Sequence, residues 1–363
     1  MAEKKGIPLS EIDGFSPEVT QALAGLWITT AEELVAAASR PGGVEGLAEY
    51  LKLSTGDVVQ LVDRAQAALP PGVSFSVENE PTYGLGALDE PRDGEGQGSP
   101  RMSFAPLPPR VDLHENMPPI RNQGQRGTCV AFATTAVREY LLCPTPQANT
   151  DLSEQFLYWN CKKHDLYPGE GTFINIAMDR LVNDGECTET DWPYNPVVIH
   201  GNEGQDPPPP TALGAAAPFK ISKTSQLAAR SVDDLRQALA DGSPIAFATT
   251  VYNYWFGATT GDIRLPLPND PVAGGHAMCM VGYEDDPSVP GGGYFMIRNS
   301  WGTNWAAQSS IAPGYARLPY AYMEKFGNAA HIALITQPKP EPSPTSEGFF
   351  DLLLKFLKRL FGG

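Results

Sequence analysis

The chain has 363 residues, of which 42% are hydrophobic and 19% charged, with 6 Trp, 13 Tyr and 15 Phe. That is enough apolar material for a core, so global disorder is excluded, and the length is a prior for about two to three domains. A formal net charge of −16 disfavours a broad phosphate-binding face, so no nucleic-acid partner is expected. No apolar run reaches the roughly 18–20 residues needed to span a bilayer. The first residues carry two lysines with no apolar segment behind them; no signal peptide is read, and a cytoplasmic, bacterial setting is expected. Five cysteines (Cys129, Cys143, Cys161, Cys187 and Cys279) are scattered, without a disulfide framework or a CxxC pair. No metal and no organic cofactor is expected.

Residues 1–69 read as a small helical domain. Ser16-Pro17 is an N-cap followed by Pro at the first helical position, Thr29 or Thr30 with Glu32 and Glu33 begins a second helix, and Ser54 opens a third that ends near Leu69. Residues 70–110 lose this periodicity; Asp89 to Pro100 is an acidic, Gly-rich linker, preceded by two short apolar runs, Val73–Val77 and Pro81–Leu88. Residues 111–337 form the large domain. It opens with a helical pattern from Cys129 to Leu142 and turns strand-rich later, at Ala277–Tyr283 and Tyr294–Arg298. Gly201 to Pro218 reads as a surface loop, and Ser231 caps a helix that ends before Pro244. Residues 338–347 are a Pro-rich spacer of polyproline character. Residues 348–363 place Asp351, Lys355, Lys358 and Arg359 on one narrow arc of a helix whose other positions are Leu and Phe. Such an amphipathic helix suits a protein partner or shell, an anionic membrane surface, or the chain's own core.

Three segments carry chemistry: Asn122-Gln123-Gly-Gln-Arg-Gly-Thr-Cys129-Val-Ala-Phe-Ala, Gly274-Gly275-His276-Ala-Met-Cys-Met-Val-Gly-Tyr, and Ile297-Arg-Asn299-Ser-Trp301-Gly. With Leu152-Ser-Glu-Gln, Trp192-Pro-Tyr and Gly314-Tyr-Ala-Arg, they appear in the order in which the papain-like (C1 family) cysteine peptidases carry them, and about residues 108–336 resemble the bacterial members of that family. His276 lies 147 residues after Cys129, within the usual interval of roughly 130–150, and Asn299 lies 170 after it. The resemblance implies an α+β, two-lobed fold: a helical lobe carrying Cys129, a β-rich lobe carrying His276 and Asn299, and a cleft between them. An all-α N-terminal domain would precede it and the C-terminal amphipathic helix would follow.

A cysteine attacks as its thiolate, and a helix N-terminus and a neighbouring imidazolium both favour that form. Cys129 is therefore expected as nucleophile and His276 as the proton carrier that serves the leaving amine. The resemblance implies that Asn299 orients His276, that Gln123 supplies an oxyanion-hole donor beside the Cys129 amide, and that Trp301 covers the Asn–His bond. It further implies that Gly171, Thr172 and Gly275 bind substrate backbone. The expected activity is that of a hydrolase, a thiol protease cutting peptide or protein substrates through an acyl-enzyme thioester. The same triad would serve an acyl transferase, and a catalytically silent scaffold would keep the fold.

The sequence departs from the family pattern at several points. Arg126 stands where secreted members have a disulfide cysteine, Val130 replaces an aromatic residue, Gly171-Thr172 replaces Gly-Gly, and Trp305 is followed by Ala-Ala-Gln. The remaining cysteines are expected to be small buried hydrophobes; pairing of Cys161 with Cys187 is left open. His114, His164, His200 and His331 lack any motif and are expected at the surface. Residues 1–69 resemble helix-hairpin-helix domains without the second hairpin glycine, and their net charge of −5 favours protein docking over DNA. Papain-like enzymes are usually made with an N-terminal segment lying in the cleft in reverse; residues 70–110 show no match to the common propeptide helix pattern, and two readings stand for this linker, simple tethering or an inhibitory pro-segment of a zymogen.

Overall fold

The computed structural model of the chain describes residues 4, 6–73, 75, 82–90, 106–142 and 150–335. The acidic stretch after Glu90, Cys143, the Pro-rich spacer and the amphipathic helix expected over residues 348–363 lie outside the described residues. Among the described residues no helix is long and apolar enough to cross a membrane.

Four helices occupy the N-terminal region: α1 (Pro17–Ala24), α2 (Ala31–Ala38), α3 (Gly43–Leu51) and α4 (Thr55–Ala68). Three begin as their caps dictate. Ser16 Oγ accepts from the Val19 amide at 3.4 Å. Thr30 and Glu33 form a reciprocal capping box, and Ser54 Oγ accepts from the Asp57 amide at 3.1 Å. The fourth, α3, was not expected from the sequence. It starts after Gly42, at φ 76°, with no side-chain cap, and it contains two glycines that argue locally against a helix. Their reason is close approach: a Cβ on Gly43 would lie 2.1 Å from the Ala37 carbonyl oxygen, and one on Gly46 would lie 3.2 Å from the Leu267 Cβ.

The helical lobe of the large unit consists of α5 (Cys129–Leu142), α6 (Glu154–His164) and α7 (Ile174–Asn183). A short helix, α8 (Pro210–Ala215), follows within the stretch expected as a surface loop. That stretch is in part structured because Ala212 and Ala216 are buried against Phe156 and Cys187; alanines in a Pro-rich context give no periodic signal.

The β-lobe holds β1 (Arg110–Asp112), β2 (Lys223–Gln226), α9 (Val232–Ala240), β3 (Ile245–Tyr252), β4 (Val272–Asp285), β5 (Gly293–Arg298), β6 (Tyr315–Pro319), α10 (Tyr320–Phe326) and β7 (Gly327–Leu334). The strands form one antiparallel sheet in the order β2-β7-β3-β4-β5-β6. β4 is the spine. It pairs with β3 through Met280, and from Gly282 to Glu284 the same strand pairs with β1. A register shift between Met280 and Gly282 on its β5 side bends it there. The chain is thus mixed α and β with an all-helical region before the large two-lobed unit, as the sequence analysis expected.

The N-terminal helices and the β-lobe share one continuous core in which Leu23, Leu26, Leu34 and Leu47 join Leu265, Leu267, Phe295 and Leu318. The Leu265 amide donates to the Leu26 carbonyl at 3.1 Å. Trp27, 4% exposed, stacks on Tyr294 at 6.3 Å between ring centroids, with the Arg317 guanidinium 5.3 Å above its ring. Trp27→Ala therefore removes packing from both sides of this junction and is expected to lower stability by about 3 kcal/mol. The check is denaturant unfolding followed by tryptophan-independent circular dichroism; an unchanged midpoint would mean that the two regions do not stabilise each other.

Candidate active site

Cys129 is the first residue of α5, on the loop of Gln123 to Thr128 that turns at Gly124 (φ 66°). The side chain is fully buried, and the Ala277 amide on β4 donates to its Sγ at 3.4 Å. That contact joins the two lobes at the Cys129 sulfur. His276 precedes Ala277 and is equally buried. Its Nε2 donates to Asn299 Oδ1 at 2.8 Å, which leaves Nδ1 as the bare lone pair. Nδ1 is buried and has no hydrogen-bond partner among the described residues. Asn299 Oδ1 also accepts from the Ser300 amide at 2.8 Å, so the carboxamide is held in one orientation. The Trp301 ring lies over the imidazole at 4.5 Å and 24°, covering the bond from water.

Gln123 is buried beside this set. Its Oε1 accepts from Ser300 Oγ at 2.6 Å, and its backbone amide donates to the Ser300 carbonyl at 2.9 Å. Its Nε2 donates to the Arg126 carbonyl at 2.8 Å and to the Gly84 carbonyl at 3.0 Å. The structure therefore brings Gln123, Cys129, His276 and Asn299 together, although the last two come from the far end of the chain.

The cleft is filled by the protein's own residues 82–90. Tyr83 stacks on the outer face of Trp301 at 4.8 Å and 6°. The Gly86 and Ala87 amides both donate to the Gly275 carbonyl at 3.2 Å, the Thr172 amide donates to the Gly86 carbonyl at 2.9 Å, and the Leu88 amide donates to the Thr172 carbonyl at 3.0 Å. Ala87 and Thr172 thereby pair in parallel. Gly171 (φ 97°) passes so close that a Cβ on it would lie 2.7 Å from the Gly86 oxygen. All three residues expected to bind peptide backbone, Gly171, Thr172 and Gly275, line the path of this strand.

Burial sets the electrostatics. It pushes the Cys129 thiol up to about 12, against the amides of Ala277, Gly86 and Val130 that favour its thiolate. It pulls the His276 imidazole down to about 4, opposed by the bond to Asn299. In this filled state thiol and imidazole are both neutral.

Residues 107–331 match the family model described as papain family cysteine protease. The chain belongs to that family. Its fold is similar to the crystal structure of xylellain, a cysteine protease from Xylella fastidiosa, at 28% identity and a TM-score of 0.60, over 72% of this chain and all of that one. It is 26% identical over 229 residues to an uncharacterized peptidase C1-like protein, L477, of Acanthamoeba polyphaga mimivirus, covering 60% of this chain and 69% of that protein. It is 27% identical over 264 residues to a probable cysteine protease, RDL2, of Arabidopsis thaliana, covering 68% of this chain and 64% of that protein. The chain is thus a papain-family cysteine protease by family, matched over part of these relatives' length.

Several residues that build the surroundings of the site were not legible in the sequence. Arg126, seen only as a missing disulfide partner, is 1% exposed and ties four segments: its guanidinium donates to Gln155 Oε1 at 2.7 Å, the Asn195 carbonyl at 2.5 Å and the Glu203 carbonyl at 3.0 Å. It packs against Tyr158 and Tyr194. Tyr194 OH donates to the Gln123 carbonyl at 2.9 Å. Fixed charge and aromatic faces thus brace this loop. His331, expected at the surface, is instead 3% exposed and bonded to Glu90, because β7 carries it into the cleft wall. His164 and His200 are exposed and His114 is half-buried.

A thiol raised to about 12 stays protonated below that pH, so only its thiolate fraction, which grows as pH rises, reacts. Cys129 in the full-length protein is expected to resist iodoacetamide at pH 7 and to gain reactivity steadily towards pH 10. Peptide mapping by mass spectrometry after timed alkylation checks this; fast labelling of Cys129 at pH 7 would contradict it.

Proposed function

We propose that this chain is a cysteine endopeptidase kept latent by residues 82–90. In the open enzyme Cys129 Sγ attacks the carbonyl carbon of the scissile peptide bond. His276 takes up the thiol proton at Nδ1 and returns it to the leaving amine, and a thioester remains on Cys129. Water then attacks the thioester carbonyl, His276 accepts its proton and gives it back to the departing sulfur, and a carboxylic acid is released. Asn299 keeps the Nε2–H bonded, so the ring presents Nδ1 throughout. Gln123 Nε2 and the Cys129 amide hold the oxyanion; one such donor contributes about 3–4 kcal/mol to the transition state. The bare, buried Nδ1 of His276, with Nε2 committed to Asn299 beneath Trp301, carries this reading.

Latency rests on where the strand sits. The Gly84 carbonyl accepts a hydrogen bond from the oxyanion-hole amide, the Gly86 and Ala87 amides are bonded to the carbonyl of Gly275, next to His276, and Tyr83 closes over Trp301. Glycine is what lets the strand enter: a Cβ on Gly84 would lie 2.1 Å from the Arg126 oxygen, and one on Gly86 would lie 2.2 Å from the Gly127 oxygen. Among the described residues Cys129, Cys161, Cys187 and Cys279 are all free, which fits the reducing, cytoplasmic setting that is part of this reading.

Two full-length variants test it. Cys129→Ala is expected to abolish peptide turnover and covalent capture of an epoxysuccinyl inhibitor, read by intact mass. Gly84→Val with Gly86→Val forces the strand out through steric overlap, and labelling of Cys129 is expected to accelerate by about tenfold or more, the loss of roughly 1.4 kcal/mol of closure being enough. Labelling equal to that of the unaltered protein would mean that residues 82–90 do not control access.

A further inference from the structure

Three residues beyond Ala87, the cleft receives the carboxylate of Glu90. Glu90 Oε1 accepts from the Asn175 amide, in the first turn of the ten-residue helix α7, at 2.7 Å. Its Oε2 accepts from His331 Nε2 at 3.0 Å and lies 3.4 Å from Gln226 Nε2. Both side chains of the Glu90–His331 pair are buried, at 5% and 4% exposure. Gln226 and His331 are register partners on β2 and β7, whereas Asn175 belongs to the helical lobe. The cradle therefore has one wall from each lobe. It also adjoins the backbone-binding arm: Asn175 lies three residues beyond Thr172, and Glu90 lies two residues beyond Leu88, which is bonded to Thr172.

Every group aimed into the cradle donates. The Asn175 N–H is fixed by the helix, with the helix dipole behind it, and His331 and Gln226 bring side-chain N–H groups. A carboxylate satisfies all of them. An uncharged carboxamide of the same shape offers one oxygen and turns its NH2 towards a donor, and an aliphatic side chain leaves buried donors without partners.

We propose that this cradle is an acid-selective subsite of the open enzyme, taking the carboxylate of a Glu or Asp side chain in the peptide substrate. The proposal rests on the reading that residues 82–90 are a displaceable occupant of the cleft; Glu90 then marks where a substrate carboxylate goes. Acidic peptides are the substrate class, and His331 and Gln226 are specificity residues that touch the substrate away from the reacting bond.

The test uses the full-length Gly84→Val/Gly86→Val protein and a peptide library in which each position is set in turn to Glu or Gln. One position is expected to favour Glu by about tenfold or more in kcat/KM, since a site built around donors rejects the analogue that cannot pair them. Adding His331→Leu is expected to bring that ratio, measured within the variant, close to one. Turnover with no Glu-over-Gln preference at any position, with Cys129 labelled normally, overturns the subsite alone. Absence of both labelling and turnover overturns the latency reading, and the subsite falls with it. Glu90→Gln in the otherwise unaltered chain gives a second readout that needs no opened variant. Replacing the carboxylate is expected to speed Cys129 labelling by about fivefold or more as the strand loosens; an unchanged rate counts against acid selectivity.

Discussion

The site depends on one approach, the packing of the start of α5 against β4. It sets the Cys129 sulfur 3.4 Å from the Ala277 amide, next in sequence to His276. Neither element contains the whole chemistry. A helix start supplies a thiol and a favourable dipole, and a sheet strand supplies an imidazole. The antiparallel β4–β5 pairing then delivers Asn299 from just beyond the end of β5. Ser300 and Trp301 follow at once, one bonded to Gln123 and the other stacked on His276. The dipeptide after Asn299 thereby ties Gln123 and His276 into a single frame.

The same close packing explains how the cleft is filled. A strand without side chains at two positions can lie against the Arg126–Gly127 backbone, where ordinary residues would overlap it. Its backbone bonds reach Gly275 on one lobe and Thr172 on the other, so it bridges the lobes as well as covering Cys129. Excluding water has an electrostatic result. Charge separation between thiol and imidazole is disfavoured in a buried, apolar setting, and both groups stay neutral. In the latent state proposed above, the filled cleft and the neutral thiol and imidazole have one physical cause.

The N-terminal helices extend this logic away from the site. They bury apolar faces against the β-lobe and share its core. Arg126 is the opposite kind of device, a local brace. Its planar guanidinium satisfies carbonyls from segments up to 77 residues away and holds the Gln123–Cys129 loop without requiring oxidation.

What the sequence determined by itself was the set of groups and the elements that carry them. Ser16, Thr29 or Thr30, Ser54 and Ser231 marked helix starts because a side-chain oxygen caps the amides next to it in sequence. Gln123, Cys129, His276 and Asn299 were legible because each sits in a short local pattern. Tertiary structure alone decided what depends on approach between distant segments: helix α3, made viable by glycines pressed against Ala37 and Leu267; the burial of His331 and its bond to Glu90, 241 residues apart; the partners of Arg126; and the passage of residues 82–90 through the cleft. Local propensity reads contacts a few residues along the chain. A glycine that permits backbone contact, or a charge that finds its partner across two lobes, has no signature there, since the free energy that selects it exists only once the chain has closed on itself.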